Sequence, residues 1–346
     1  MDKFSEIVDF LKNYDGKPVT LMEVCGTHTA SIVENGIEDM LSDKIELITG
    51  PGCPVCVTVS AYIDRLCSLA KEENTCVCSF GDMIRVPSKN GCLRDAEAQG
   101  GRVMMLYSPL ELIEIAKKEP QTQFVFAAVG FETTTPLYAL LLDEIIKQDI
   151  KNIKLLTALK TMPKVIDKVL SASGKITGMI APGHVSVITG SDIFKESAEK
   201  FGIPFVVAGF EGKQLLAAIW ALVKLQNKGV VKNLYPEVVK ESRNENSYAL
   251  TEKYFEPCSA AWRGLGIIEG SGLKIKDEYA RFDAGSGDLF EDYALNGCSC
   301  GQVIAGLKRP EECPLFAKVC TPSSPVGACM VSHEGSCFNH YLAKGK

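Results

Sequence analysis

The chain has 346 residues, 46% of them hydrophobic, with 37 basic against 43 acidic side chains and a formal charge of -6. That length suggests two or three domains with real cores. The acidic balance, with no basic run interleaved with aromatics, argues against a nucleic-acid surface. The opening Met1-Asp2-Lys3-Phe4-Ser5-Glu6 carries charge where a signal peptide needs an apolar stretch. The apolar run from Leu215 to Val223 ends at a lysine, well short of the roughly 18 residues of a membrane span. A soluble, cytoplasmic protein without a membrane partner is expected, in a compartment where thiols stay reduced.

Short apolar runs alternate with amphipathic helical patterns, the signature of a parallel α/β sheet. The predicted strands are Leu21–Val24, Ile45–Thr49, Cys76–Phe80, Val103–Tyr107, Phe124–Val129, Ile153–Thr157, Ile176–Ile180 and Pro204–Ala208. They pair at an offset of about a hundred residues, as a tandem duplication would. Glu23-Val24-Cys25-Gly26-Thr27-His28-Thr29 aligns with Val129-Gly130-Phe131-Glu132-Thr133-Thr134-Thr135, and Phe80-Gly81-Asp82 with Pro182-Gly183-His184. The expectation is two similar parallel-sheet α/β domains facing a cleft, residues 1–121 and 122–232. Beyond Gly229, Asn227 to Pro236 and Glu241 to Asn246 read as linker. Trp262-Arg263-Gly264-Leu265-Gly266 and Ser271-Gly272-Leu273-Lys274 suggest turns and short strands. Residues 233–346 are expected to form a small Cys-rich iron–sulfur domain, whose final stretch has too little periodic apolar sequence to fold without a metal or crosslinks.

Of the 14 cysteines, six fall between Cys298 and Cys337. Clustered thiols in such a chain read as metal ligands or redox couples rather than structural disulfides. In parallel sheets, ligands bind at the carboxyl ends of strands. Cys25 and His28 follow the first strand, Cys53 and Cys56 the second, and Asp82 the third. Glu132, Lys160, His184 and Glu211 occupy equivalent places in the second half. Pro54 suits a first helical turn, so Cys53 is expected to cap a helix whose positive end lowers thiol pKa. No second CxxC completes a four-thiolate zinc knuckle. His28, three residues after a loop cysteine, reads as functional rather than as an imidazole bonded to a neighbouring carbonyl.

In the tail, Cys300, Cys313, Cys320 and Cys337 are spaced C-x12-C-x6-C-x16-C. Four thiolates suffice for a [4Fe–4S] cluster, but spacing does not say which four of the six bind. Cys298 and Cys329 would remain as a dithiol/disulfide couple exchanging electrons with it. A zinc-stapled tail is the alternative. Cys67, Cys76 and Cys78 read as core, and Cys92 and Cys258 carry no assignment. Gly130 to Pro136 lacks the lysine and the spacing of a P-loop.

Cys25-Gly26-Thr27-His28-Thr29, Gly50-Pro51-Gly52-Cys53-Pro54-Val55-Cys56, Gly130-Phe131-Glu132-Thr133-Thr134, Ala181-Pro182-Gly183-His184 and Cys320-Thr321-Pro322 through Pro325-Val326-Gly327-Ala328-Cys329-Met330 resemble the HypD family of hydrogenase maturation proteins. The likeness covers nearly the whole chain. It implies a scaffold on which the Fe(CN)2CO unit of [NiFe]-hydrogenases is built, sharing iron with a cysteine of a small partner, HypC, and receiving cyanide from HypE. It also implies Cys25, Cys53 and Cys56 as iron-site or cyanide-handling thiols, with His28 nearby. The [4Fe–4S] cluster would lie on Cys300, Cys313, Cys320 and Cys337, beside the redox pair Cys298 and Cys329, an arrangement similar to ferredoxin:thioredoxin reductase. Thiolates suit low-valent iron carrying CO and cyanide. A stand-alone thiol–disulfide oxidoreductase is the alternative, but three facing thiols and a histidine exceed what an exchange site needs.

Overall fold

The computed structural model describes residues 3–293, 295 and 297–344. Eleven strands are formed among them: β1 Val19–Glu23, β2 Ile45–Thr49, β3 Thr75–Ser79, β4 Val103–Met105, β5 Gln123–Gly130, β6 Ile153–Lys160, β7 Gly178–Ala181, β8 Phe205–Val207, β9 Val231–Asn233, β10 Phe255–Trp262 and β11 Gly266–Ile275. They build two sheets. The first has the order β2-β1-β7-β8-β9 and is parallel throughout; the second has the order β10-β11-β6-β5-β3-β4. In the second, β3 to β6 run parallel, and the β10–β11 hairpin adds antiparallel to β6.

All eight predicted strands form, and the fold is α/β. The strand pairing, however, does not follow a division at residue 121, because each sheet takes strands from both sides of it. The chain leaves the first sheet after β2, builds β3 to β6, and only then returns for β7 to β9. The matching orders β2-β1-β7-β8 and β4-β3-β5-β6 make β3 the counterpart of β1 and β5 the counterpart of β7. The offset read along the sequence pairs β1 with β5 instead, since every strand-to-helix unit shares one pattern. Both sheets therefore have a switch point, where strand order reverses and ligands bind. In the first sheet it lies between the ends of β1 and β7, in the second between those of β3 and β5.

Side-chain alternation divides the core. Val125, Ala127 and Val129 of β5 enter a central apolar cluster, whereas Phe124, Phe126 and Ala128 face an outer one. Met22 of β1 belongs to the central cluster and Leu21 to a third, beneath the helix Gly212–Lys224. The period of two is that of a strand covered on both faces. The tail is not set apart: Val303, Ile304, Met330 and Val331 join the central cluster with Val77 and Met179. Arg85 donates to the carbonyls of Pro322 and Val331, tying the tail to the end of β3. The stretch read as linker contains β9 and leads to the helix Glu245–Tyr254. No helix among the described residues is long and apolar enough to cross a membrane.

Candidate functional site

Cys25 ends the turn after β1 and stands as N-cap of the helix Gly26–Glu34, in extended conformation. Its backbone N–H donates to Glu23 Oε2 at 2.8 Å, and the Thr29 hydroxyl donates to Glu23 Oε1. Burial raises the Glu23 carboxyl to about 7, against those hydrogen bonds. Cys25 is buried rather than exposed on a loop. Burial first, and then the charge of Glu23, pushes its thiol up to about 12. The resting group is a thiol that gives up its proton on meeting a cation.

His28, one turn along, is fully buried, and neither ring nitrogen has a hydrogen-bond partner. Burial pushes the imidazole down to about 4, although the backbone of Ala208 and Gly209 lies close. Phe210, from the turn after β8, is flanked by two histidines: His28 at 4.9 Å and His184 at 4.0 Å between ring centroids. These rings occupy the switch point of the first sheet.

Cys53 and Cys56 form a disulfide, with the Cys56 N–H donating to Cys53 Sγ at 3.2 Å. They do not sit on a helix start. Pro54 to Val57 make a single turn, and the following helix begins at Ser60. Its dipole therefore does not act directly on Cys53. The loop spans the passage between the sheets and is locked to the Cys25 turn. A Cβ on Gly52 would collide with the Cys25 backbone, and one on Gly26 with Glu334. The Gly26 N–H donates to the Gly52 carbonyl at 3.3 Å. Cys53, Cys56, Gly26, Gly52, Cys329 and Glu334 line one cleft of only ≈ 10 Å³. Glu334 also lies within electrostatic reach of Asp82, so the ends of β1, β2 and β3 converge there.

The six tail cysteines form a linked group. Cys300 Sγ lies 3.1 Å from Cys329 Sγ. Hydrogen bonding with Cys298 and Cys329 holds the Cys300 thiol low, while Cys300 and then Cys337 hold the Cys329 thiol high. Cys298 feels the charge of Cys313, and Cys320 those of Cys337 and Cys313. Cys320 Sγ accepts the Val326 N–H at 3.3 Å. For Cys313, burial opposes ionisation, but the backbones of Ser299, Leu315 and Phe316 outweigh it and lower the pKa. Backbone N–H groups aimed at sulfur suit the thiolates of an iron–sulfur cluster. Among the described residues no three ligating side chains converge on one ion-sized point.

Other residues expected at a common cleft lie elsewhere. Glu132, raised to about 7 by burial, accepts the Met162 N–H at 2.8 Å. Lys160 lies beneath Trp262. Glu211 is spent capping the helix Gly212–Lys224. Sequence reasoning passed over Glu23, Phe210 and Glu334. A carboxylate two residues before Cys25 was a visible signal for Glu23, but nothing marked Glu334 out from its polar neighbours.

The HypD family pattern, described as the hydrogenase formation hypA family, matches residues 2–344. Curated relatives agree along the length. The hydrogenase maturation factor HypD of Cupriavidus necator is 38% identical, over 94% of this chain and 90% of its own. That of Rhodobacter capsulatus is 39% identical, over 95% and 90%. That of Escherichia coli is 36% identical, over 94% and 89%. The chain belongs to the HypD family.

Proposed function

We propose that this chain, a hydrogenase maturation factor by family, is an iron-binding, redox-active scaffold on which the Fe(CN)2CO unit is assembled with HypC and HypE. The observation that carries the reading is the meeting of Cys329 with the Cys53–Cys56 disulfide in one cleft, beside the Cys25 turn. Iron is the cargo, with Cys25 as its ligand from this chain and the HypC cysteine as the partner's.

Electrons enter from the tail. The 3.1 Å sulfur contact favours Cys300 with Cys329 as the dithiol, in place of Cys298 with Cys329. The cluster ligands are then Cys298, Cys313, Cys320 and Cys337, and a [4Fe–4S] cluster there would supply single electrons. Thiol–disulfide exchange passes two electrons from Cys300/Cys329 to Cys53–Cys56, closing one disulfide and opening the other. The reduced pair Cys53/Cys56 then meets a thiocyanate on the partner. Two thiols and R–S–CN give R–SH, HCN and a new disulfide, so atoms and electrons balance. The released cyanide binds the iron. A neutral His28 and a Glu23 carboxyl raised to about 7 limit the fixed charge around Cys25 until the metal arrives. Because the cleft holds ≈ 10 Å³, the Glu334 segment must move for iron to enter.

Purified anaerobically, the chain should contain iron and acid-labile sulfide. With HypC and HypE it should show infrared bands of CO and cyanide on iron. Zinc without sulfide, or partners present and no such bands, would overturn the reading.

A further inference from the structure

We propose that the cavity at the carboxyl end of β6 binds a small carboxylate, with Lys160 as its charged anchor. Lys160 is the last residue of β6 and only 3% exposed. Its ammonium makes no hydrogen bond or ion pair among the described residues. It stands over the Trp262 face, at 5.7 Å. Burial pushes the amine down to about 8, which still leaves it largely charged at neutral pH. A buried charge without a partner is costly, and native chains keep one where something completes it.

Lys160 lines a cavity of ≈ 320 Å³ between β6, the β10–β11 hairpin and the segment around Ser286. That is the size of a small-molecule site, at the end of a parallel strand where ligands bind. Several other polar groups of the lining are already engaged. Ser286 accepts the Thr157 N–H at 2.8 Å and donates to Asp283. Lys274 pairs with Glu256 and Asp277. Val59, Leu159, Leu289 and Phe290 supply an apolar part of the wall. One unpaired buried cation beside a partly apolar wall matches a molecule with one carboxylate and an apolar body. Asp277, Asp283 and Asp288 share the lining and repel any anion, a dianionic phosphate more than a monoanionic carboxylate.

The test is thermal unfolding and titration calorimetry of the full chain with acetate, pyruvate and benzoate, against inorganic phosphate and chloride at equal ionic strength. At about 20 mM, a ligand with a Kd near 1 mM saturates its site. At least one carboxylate should raise the melting midpoint beyond the chloride control. Lys160→Met should melt no lower than the parent, because it removes an unpaired charge, and should bind that carboxylate at least tenfold more weakly. Ala260→Leu fills the cavity and leaves Lys160 in place, so it should weaken binding too, and it decides the matter if Lys160→Met does not fold. The proposal is overturned if no carboxylate acts beyond chloride, if phosphate binds better, or if binding survives in the variant that folds.

Discussion

Glu132 and His28 are both buried, and burial acts on their charges in opposite senses. The folded carboxyl of Glu132 titrates at about 7, above its ordinary 4.5. Between those values the folded chain keeps a proton that the unfolded chain has lost, so stability falls as pH rises from 4.5 to 7. His28 titrates at about 4, below 6.5, so its contribution falls as pH drops through that window. Comparing the parent with Glu132→Gln cancels the histidine term. By denaturant unfolding, the variant should gain on the parent by roughly 3 kcal/mol between pH 4.5 and pH 8. A pH-independent difference would contradict the assignment. Residue types at this scale were legible: Cys25, His28, Cys53 and Cys56 announced themselves by chemistry and spacing. Their burial was not, because it depends on Gly52 and Glu334 closing over Cys25 from distant parts of the chain.

Between elements, the Cys25 turn and the disulfide loop interlock through glycines that leave no room for a methyl group. Gly52→Ala should cost at least about 2 kcal/mol, because the Cys25 backbone cannot yield without shifting β1. Gly287→Ala, which meets nothing within 4 Å, is the control and should be near neutral. Equal stabilities in a denaturant titration would show that the loops are not locked. Eight strands could be read from the sequence, because buried parallel strands are short apolar runs closed by turn residues. β9 escaped because Val231–Asn233 is a partly exposed edge of three residues. The expected helix at Pro54 fails because the chain must cross between sheets there, and a single turn does so.

For the whole molecule, the route of the chain between sheets was hidden, since strand pairing is long-range and both sheets use one local pattern. The same holds for the tail, whose sparse apolar residues looked insufficient alone and instead complete a shared core. A chain ending at residue 297 should therefore lose cooperative folding of the main body, followed by circular dichroism on heating. A truncated chain that melts like the parent would make the tail a separate unit. The shared core also brings Cys329 into one cleft with Cys53 and Cys56, beside the Cys25 turn. Infrared spectroscopy of the complex with HypC and HypE, comparing parent and Cys25→Ala, tests that scaffold most directly. Losing one small thiol should cost about 1 kcal/mol and leave fold and tail iron in place. The account predicts that the CO and cyanide bands vanish in Cys25→Ala. Bands that survive there but disappear in Cys53→Ala would contradict it and move the iron to the disulfide loop.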